Sequence, residues 1–154
     1  MIRCKKHKIW NDYTDICEYI SLDEGFLDVT GSAHLFGGTT AIGHEIKRRT
    51  KEIVGLTCSV GVGYSMMSAK VASEEKKPDG FFKIPTPEAL QNLIMDRSVR
   101  MIYGVGTKTA EDLQRIGVTT VQQILDNRQL VIGLLGNHGR QIIELAEGID
   151  RRAL

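Results

Sequence analysis

The chain has 154 residues, of which 42% are hydrophobic and 25% are charged, and its formal net charge is +1. These values fit an ordinary soluble chain of one globular domain or two small ones. No apolar run approaches the ~20 residues that a membrane span requires, and the basic first ten residues lack the apolar stretch of a signal peptide. We therefore expect a cytoplasmic protein with no membrane contact. The three cysteines and four histidines show no zinc-type spacing.

Strand-like and helix-like segments alternate in the first half of the chain. "CEYIS" and "GFLDV" are predicted strands, and "TAIGHEIKRRTKEIVG" is a predicted amphipathic helix that closes at Gly55. "LTCSVGVG" alternates with a period of two and predicts a half-buried strand that includes Val60 and Val62. A helix over about 65–75 and the strand "GFFKI" complete a β-β-α-β-α-β order. This order predicts an α/β (α+β) sandwich in which two helices cover one face of the sheet.

The organisation changes between Pro85 and Arg100, and every later segment has a helical pattern. "TPEALQNLIM" is a predicted helix with Pro87 in its first turn. We therefore divide the chain into an α/β unit at residues 1–86 and an all-helical unit at residues 87–154.

Two adjacent carboxylates, Asp23 and Glu24, lie between the first two predicted strands. In a straight strand they would point to opposite faces, but a turn or bulge at Gly25 would let them converge. Carboxylates held together repel unless a cation sits between them, and Mg²⁺ is bound by one or two carboxylates plus substrate phosphates. Half of a two-metal site is one interpretation, and a solvated hairpin turn is the other. Asp28 is interpreted as a structural residue of the hairpin.

The segment "GVGTKTAEDL" is a candidate phosphate-binding site. Gly104 and Gly106 bracket a tight turn that opens onto a helix at about Thr107. The free backbone N–H groups of such a helix start bind phosphate without a basic patch. A simple helix-start turn is the alternative interpretation.

Three segments in this order resemble the Y-family translesion DNA polymerases, most closely the DNA polymerase IV (ImpB/MucB/SamB) group. They are "SLDEGFLDVTGS", "TCSVGVGYSMMSAKVASEEKKPDGFFKIP" and "VRMIYGVGTKTAEDLQRIGVTTVQQIL", and the resemblance runs from about Asp12 to Asp150. It implies that residues 1–86 are a partial palm domain, with a mostly antiparallel sheet and two covering helices. It also implies that residues 87–154 are a small thumb containing a helix-hairpin-helix.

The resemblance also implies roles for individual residues. Asp23 and Glu24 match the catalytic carboxylates that hold two Mg²⁺ ions, with Glu24 beside the primer 3′-hydroxyl. Lys77, in "KPDG", matches the lysine that contacts the triphosphate of the incoming dNTP. The residues that match the thumb's contacts to the DNA backbone are Gly104, Gly106, Lys108 and Thr109.

Several family features have no match in this sequence: the first palm strand with its metal-binding Asp, the fingers domain and the little finger. We therefore expect a fragment that is inactive alone and whose incomplete sheet has an exposed edge. In the complete protein, the resemblance implies nucleotidyl transfer from a dNTP to a primer opposite damaged template. The implied partners are primer–template DNA, the dNTP and a sliding clamp that binds C-terminal regions absent here.

Two other classes of function remain open at this level. The chain could be a non-catalytic DNA-binding module that uses only the helix-hairpin-helix, and it would then bind duplex DNA regardless of Asp23. It could also be a nucleotide-cyclase-like enzyme, since cyclases share the palm's sheet and helices, and it would then turn over NTPs without DNA. The order of the three segments favours the polymerase.

Overall fold

The structure is a computed structural model that describes residues 1–5 and 8–154. The chain divides into two compact units, one formed by residues 1–86 with 151–154 and the other by residues 87–150. The first break falls between Thr86 and Pro87, where the sequence pattern changes. The last four residues, in contrast, pack with the first unit and not with the helical unit to which the sequence assigned them.

The first unit is built on a five-stranded sheet. Its strands are β1 (Ile2–Lys5), β2 (Cys17–Tyr19), β3 (Glu24–Leu27), β4 (Val60–Gly63) and β5 (Phe81–Ile84). They lie in the order β2-β3-β1-β4-β5. All neighbouring pairs are antiparallel except β4 and β5, which are parallel. The predicted mixed fold with a mostly antiparallel sheet is therefore confirmed.

Strand β1 was not predicted, although it lies at the centre of the sheet. Ile2 is opposite Leu27 of β3 on one side and Val62 of β4 on the other. The sheet therefore does not lack a central strand in the described part of the chain, and its edges are β2 and β5. The expectation of an edge exposed by a missing strand is corrected in this respect.

Helix α1 (Thr39–Val54) covers one face of this sheet. Its Ile42 and Ile46 belong to the same buried cluster as Ile2, Leu27 and Val62. The helix ends at Gly55, whose φ of 74° is in the left-handed region, as expected of a glycine that closes a helix.

Helix α2 (Met66–Glu75) packs on the opposite face. Its approach is so close that a Cβ on Gly61 would overlap the backbone of Ala69 and Ser73. Strand β4 thus turns its valines toward α1 and its glycines toward α2, because successive residues of a strand point to opposite faces. The prediction that two helices cover one face is wrong, and β4 is buried along its whole length rather than half-buried.

The second unit is entirely helical apart from one isolated bridge between Ser98 and Thr120. Its helices are α3 (Pro87–Ile94), α4 (Thr107–Arg115), α5 (Val121–Asp126), α6 (Arg128–Leu135) and α7 (Asn137–Ala146). Its core includes the buried residues Leu90, Ile94, Leu113, Ile124, Val131 and Ile142. No helix in the described residues is both long and apolar enough to cross a membrane.

Candidate functional site

A pocket of about 300 Å³ opens in the first unit beside β1, β3 and the loop that precedes β5. Its lining includes Arg3, Glu24, Ser73, Lys77 and Asp79. Two residues that the sequence singled out for different reasons, Glu24 and Lys77, therefore meet in one cavity. The strands and the α2 helix bring them together across more than fifty residues of sequence.

The cation next to Glu24 is an arginine. Glu24 begins β3 with its side chain 34% exposed, and its Oε2 accepts a hydrogen bond from Arg3 Nη2 at 2.7 Å. Arg3 Nη1 donates to Ser73 Oγ and to Glu74 Oε1, both at 2.9 Å. Sequence reasoning missed Arg3 because its partners lie 21 and 71 residues away in the chain.

Lys77 extends the same charge network. Its Nζ lies 3.1 Å from Glu74 Oε1, so the charges alternate from Glu24 through Arg3 and Glu74 to Lys77. Burial acts to raise the pKa of Glu74, but hydrogen bonds from Arg3 and Lys77 outweigh it and the pKa is lowered. Glu74 is therefore ionised at neutral pH.

Asp23 is placed differently from Glu24. It lies in the hairpin turn before β3, where Glu24 O accepts from the backbone N–H groups of Ile20 and Ser21 at 3.0 and 3.2 Å. Its side chain is exposed, and its Oδ1 accepts from Ser21 Oγ at 3.1 Å. Asp23 is not among the pocket-lining residues. Glu24 therefore lines the pocket and Asp23 does not.

The predicted site for two Mg²⁺ ions does not fit this arrangement. The Glu24 carboxylate is already neutralised by the Arg3 guanidinium, and Asp23 is held in the exposed turn. Among the described residues, no group of three or more His, Cys, Asp or Glu side chains is arranged to hold a metal ion. The metal-binding role of Asp23 and Glu24 stays a prediction.

The loop that carries Lys77 is fastened to α1 by Lys47. The Lys47 Nζ lies 2.8 Å from the carbonyl oxygens of Cys58 and Asp79, 2.6 Å from Asp79 Oδ1 and 3.2 Å from Gly80 O. Asp79 adopts a positive φ of 52° in this loop. The Lys47 ammonium group thus links Cys58, two residues before β4, to the turn at Asp79 and Gly80 that follows Lys77.

Asp28 has the structural role that the sequence suggested. Its Oδ1 accepts hydrogen bonds from Thr30 Oγ1 at 2.6 Å and from the Thr30 backbone N–H at 3.0 Å. These two bonds lower the pKa of Asp28 against the opposing effect of burial. The Asp28 carboxylate therefore stabilises the turn from Asp28 to Thr30.

The residues predicted to hold the DNA backbone lie together at the start of α4. Gly104 has a φ of 89°, and Gly106 is the N-cap of the helix, which begins at Thr107. Both glycines and Lys108 are exposed, and Thr109 is half-buried. The structure adds Arg100, whose Nη2 donates to Thr107 Oγ1 at 3.2 Å. The sequence offered no signal for Arg100, and the binding of DNA at this helix start stays a prediction.

Comparisons with known proteins agree on one family. The impB/mucB/samB family matches residues 3–74. DNA polymerase IV of Pseudomonas aeruginosa UCBPP-PA14 is 41% identical over 147 residues, covering 95% of this chain and 42% of the relative. DNA polymerase IV of Halorhodospira halophila is 40% identical, covering 95% of this chain and 41% of the relative.

Solved structures give the same result. A Y-family DNA polymerase chimera of Dbh and Dpo4 superposes with a TM-score of 0.81 at 25% identity, over 94% of this chain and 43% of the chimera. An insertion ternary complex of Dbh DNA polymerase superposes with a TM-score of 0.80 at 26% identity, over 95% of this chain and 43% of that protein. This chain thus spans about two fifths of the length of the relatives that it matches. The family model, the relatives and the solved structures thus agree that this chain is similar to the Y-family DNA polymerases.

Proposed function

We propose that this chain serves translesion DNA synthesis, as part of a DNA-directed DNA polymerase that extends a primer opposite damaged template. The observation that carries the proposal is the pocket in which Glu24 and Lys77 meet. Relatives named DNA polymerase IV align with 95% of the chain, which supports the same conclusion. The proposal includes a cytoplasmic location, and a sliding clamp as a partner that binds outside this chain.

The reaction proposed for the complete protein is nucleotidyl transfer. The primer 3′-oxygen forms a bond to the α-phosphorus of a dNTP, and the bond to pyrophosphate breaks. Lys77 would meet the negative charge of the triphosphate with its ammonium group. Two Mg²⁺ ions are proposed as cofactors of the complete site only, because Glu24 is paired with Arg3 here. We propose that the chain alone is inactive.

DNA is the proposed partner of the second unit. The exposed backbone N–H groups at the start of α4, with Lys108 beside them, suit a phosphate of the duplex backbone. A helix-hairpin-helix that grips the backbone in this way would bind duplexes of any sequence. One solved neighbour is an insertion ternary complex of a DNA polymerase, which supports DNA and a nucleotide as ligands.

Primer extension by a chimera tests the catalytic half of the proposal. Residues 12–150 of this chain, without β1 and its Arg3, would replace the matching segment of the Pseudomonas aeruginosa DNA polymerase IV, and the chimera would be assayed with undamaged and abasic templates. We expect extension, a loss of about 10²-fold or more for Glu24→Ala, and a raised KM for dNTP in Lys77→Ala. Lys51→Gln, on the exposed surface of α1, is the matched control and should leave extension unchanged.

A second candidate is the non-catalytic DNA-binding module, and the Arg3–Glu24 pair favours it for the chain alone. Fluorescence anisotropy with labelled duplexes would measure binding by the chain itself at several salt concentrations. We expect affinity that falls with salt and is indifferent to sequence, with a salt slope reduced by about 1 in Lys108→Gln. A chimera that binds primer–template normally but extends nothing would reject the catalytic proposal in favour of the binding module.

A further inference from the structure

We propose that the Arg3 guanidinium stands in for a divalent cation beside Glu24 and Glu74, so that strand β1 keeps these carboxylates closed to metal ions. The inference deepens the proposed function, on which it rests for the importance of Glu24. In this inference, the Arg3 guanidinium is the group that pairs with the Glu24 carboxylate and keeps it from binding a metal ion. The mismatch between the predicted metal site and the observed arrangement is what it explains.

The guanidinium gathers oxygen atoms from two separate elements. Glu24 comes from β3, and Ser73 and Glu74 come from α2, and each has a polar oxygen within 2.9 Å of an Arg3 nitrogen. Carboxylate oxygens are the protein ligands that hard divalent cations select. The position between Glu24 and Glu74 is thus a cation position, and a side chain of this chain fills it.

Arg3 is built into the sheet rather than laid over it. In β1 it stands opposite Phe26 of β3 and Gly61 of β4. Its side chain is 9% exposed, and its guanidinium carbon lies 5.9 Å from the centre of the Phe26 ring. Gly61 contributes no side chain, so Arg3 and α2 share this face of the sheet. The guanidinium therefore lies between the sheet, where it contacts Phe26 and Glu24, and helix α2, where it contacts Ser73 and Glu74.

A buried charge is stable only when it is paired. The carboxylates of Glu24 and Glu74 therefore compensate Arg3 as much as Arg3 compensates them. A divalent ion that approached the same oxygens would meet a fixed positive charge at contact distance, with Lys77 as a second cation on Glu74. Like charges this close disfavour each other, so metal binding requires that Arg3 leave.

An ordinary structural ion pair is the competing explanation. It predicts that removal of Arg3 lowers stability and does nothing else. Exclusion of a metal predicts in addition that removal of the guanidinium charge creates affinity for a divalent ion, and that this affinity depends on the two carboxylates. Metal binding by the isolated chain separates the two explanations.

The experiment measures Mn²⁺ binding to the purified chain at pH 7, from the electron paramagnetic resonance signal of free Mn²⁺. Arg3→Gln keeps a hydrogen-bonding side chain without the charge, and we expect it to bind Mn²⁺ at least tenfold more tightly than the unaltered chain. The gain should disappear in Arg3→Gln/Glu24→Gln. The matched control is Arg115→Gln, whose guanidinium pairs with Asp112 on an exposed helix surface, and it should show no gain. Equal Mn²⁺ affinity in Arg3→Gln and the unaltered chain would overturn the proposal.

A second comparison holds even if Arg3→Gln does not fold. With Arg3 in place, Glu24 contributes nothing to metal binding, so Glu24→Gln should leave the Mn²⁺ affinity of the chain within twofold of its original value. A loss of affinity in Glu24→Gln would show that the ion reaches Glu24 despite Arg3, and the proposal would be wrong. These measurements need neither DNA nor dNTP, so their failure is distinguishable from failure of primer extension in the chimera.

Discussion

Replacement of Gly61 by alanine should destabilise the first unit by about 2.5–6 kcal/mol. The added Cβ would overlap backbone atoms of Ala69 and Ser73 in α2, which cannot rotate away as the end of a side chain could. Overpacking of this kind costs about 1–3 kcal/mol. If α2 moves off the sheet to relieve the overlap, the hydrogen bond from Arg3 to Ser73 is lost as well. A hydrogen bond to a charged group contributes about 1.5–3 kcal/mol.

Urea unfolding followed by the fluorescence of Trp10 is the appropriate assay. Trp10 is the only tryptophan of the chain, is fully buried and belongs to the core of the first unit. The control is Gly31→Ala, where an added Cβ meets no atom within 4 Å, and its effect should stay within about 0.5 kcal/mol. If Gly61→Ala unfolds at the same urea concentration as the unaltered chain, α2 does not rest on the glycine face of β4. The placement of the two helices on opposite faces would then be refuted.

Two further predictions concern other parts of the molecule. Leu113→Ala should destabilise the second unit by about 2–5 kcal/mol, because Leu113 is fully buried in α4; an unchanged thermal melting curve by circular dichroism would contradict that burial. The pKa of the Asp28 carboxyl, measured by carbon NMR, should lie below the ordinary aspartate value of about 3.9, and Thr30→Val should raise it. Since the folded-state pKa is the lower one, Asp28 stabilises the fold above about pH 4 and loses that contribution as the pH falls through the folded value; an Asp28 pKa that Thr30→Val leaves unchanged would count against this hydrogen bond.

The helices were predictable because their signals are local. The apolar spacing of α1 and its closing Gly55 lie within one segment of sequence. In α2, Ser65 accepts from the backbone N–H of Ser68 as an N-cap, and α3 begins at Pro87, where proline is tolerated. Each boundary therefore depends on a few neighbouring residues.

The arrangement of the sheet was not predictable in the same way. Strand β1 is four residues long and carries alternating Ile2 and Arg3 rather than an apolar run, so its period-two pattern is too short to stand out. Its pairing with β4 joins residues about sixty positions apart. The glycines of "VGVG" carry no hydrophobic signal, although their lack of side chains is what admits α2. The packing of α2 on that face therefore depends on residues without side chains, and a pattern of apolar residues does not reveal it.

The candidate site was predicted in part. The resemblance to the Y family drew attention to Glu24 and Lys77, and the structure places both at one pocket. The assumption that Asp23 converges with Glu24 depended on the geometry of a turn, and the hairpin instead leaves Asp23 exposed beside Ser21. Arg3 could not be found from its neighbours in sequence because only the folded sheet brings its partners together.

The contacts of Lys47 have a consequence for any anion that reaches Lys77. A free loop loses conformational entropy when a ligand orders it, and this loss weakens binding. The loop after Lys77 is already held at the carbonyl oxygens of Asp79 and Gly80 and at the Asp79 carboxylate. Because the loop is already ordered in the folded chain, an anion that binds Lys77 costs less conformational entropy than it would at a free loop.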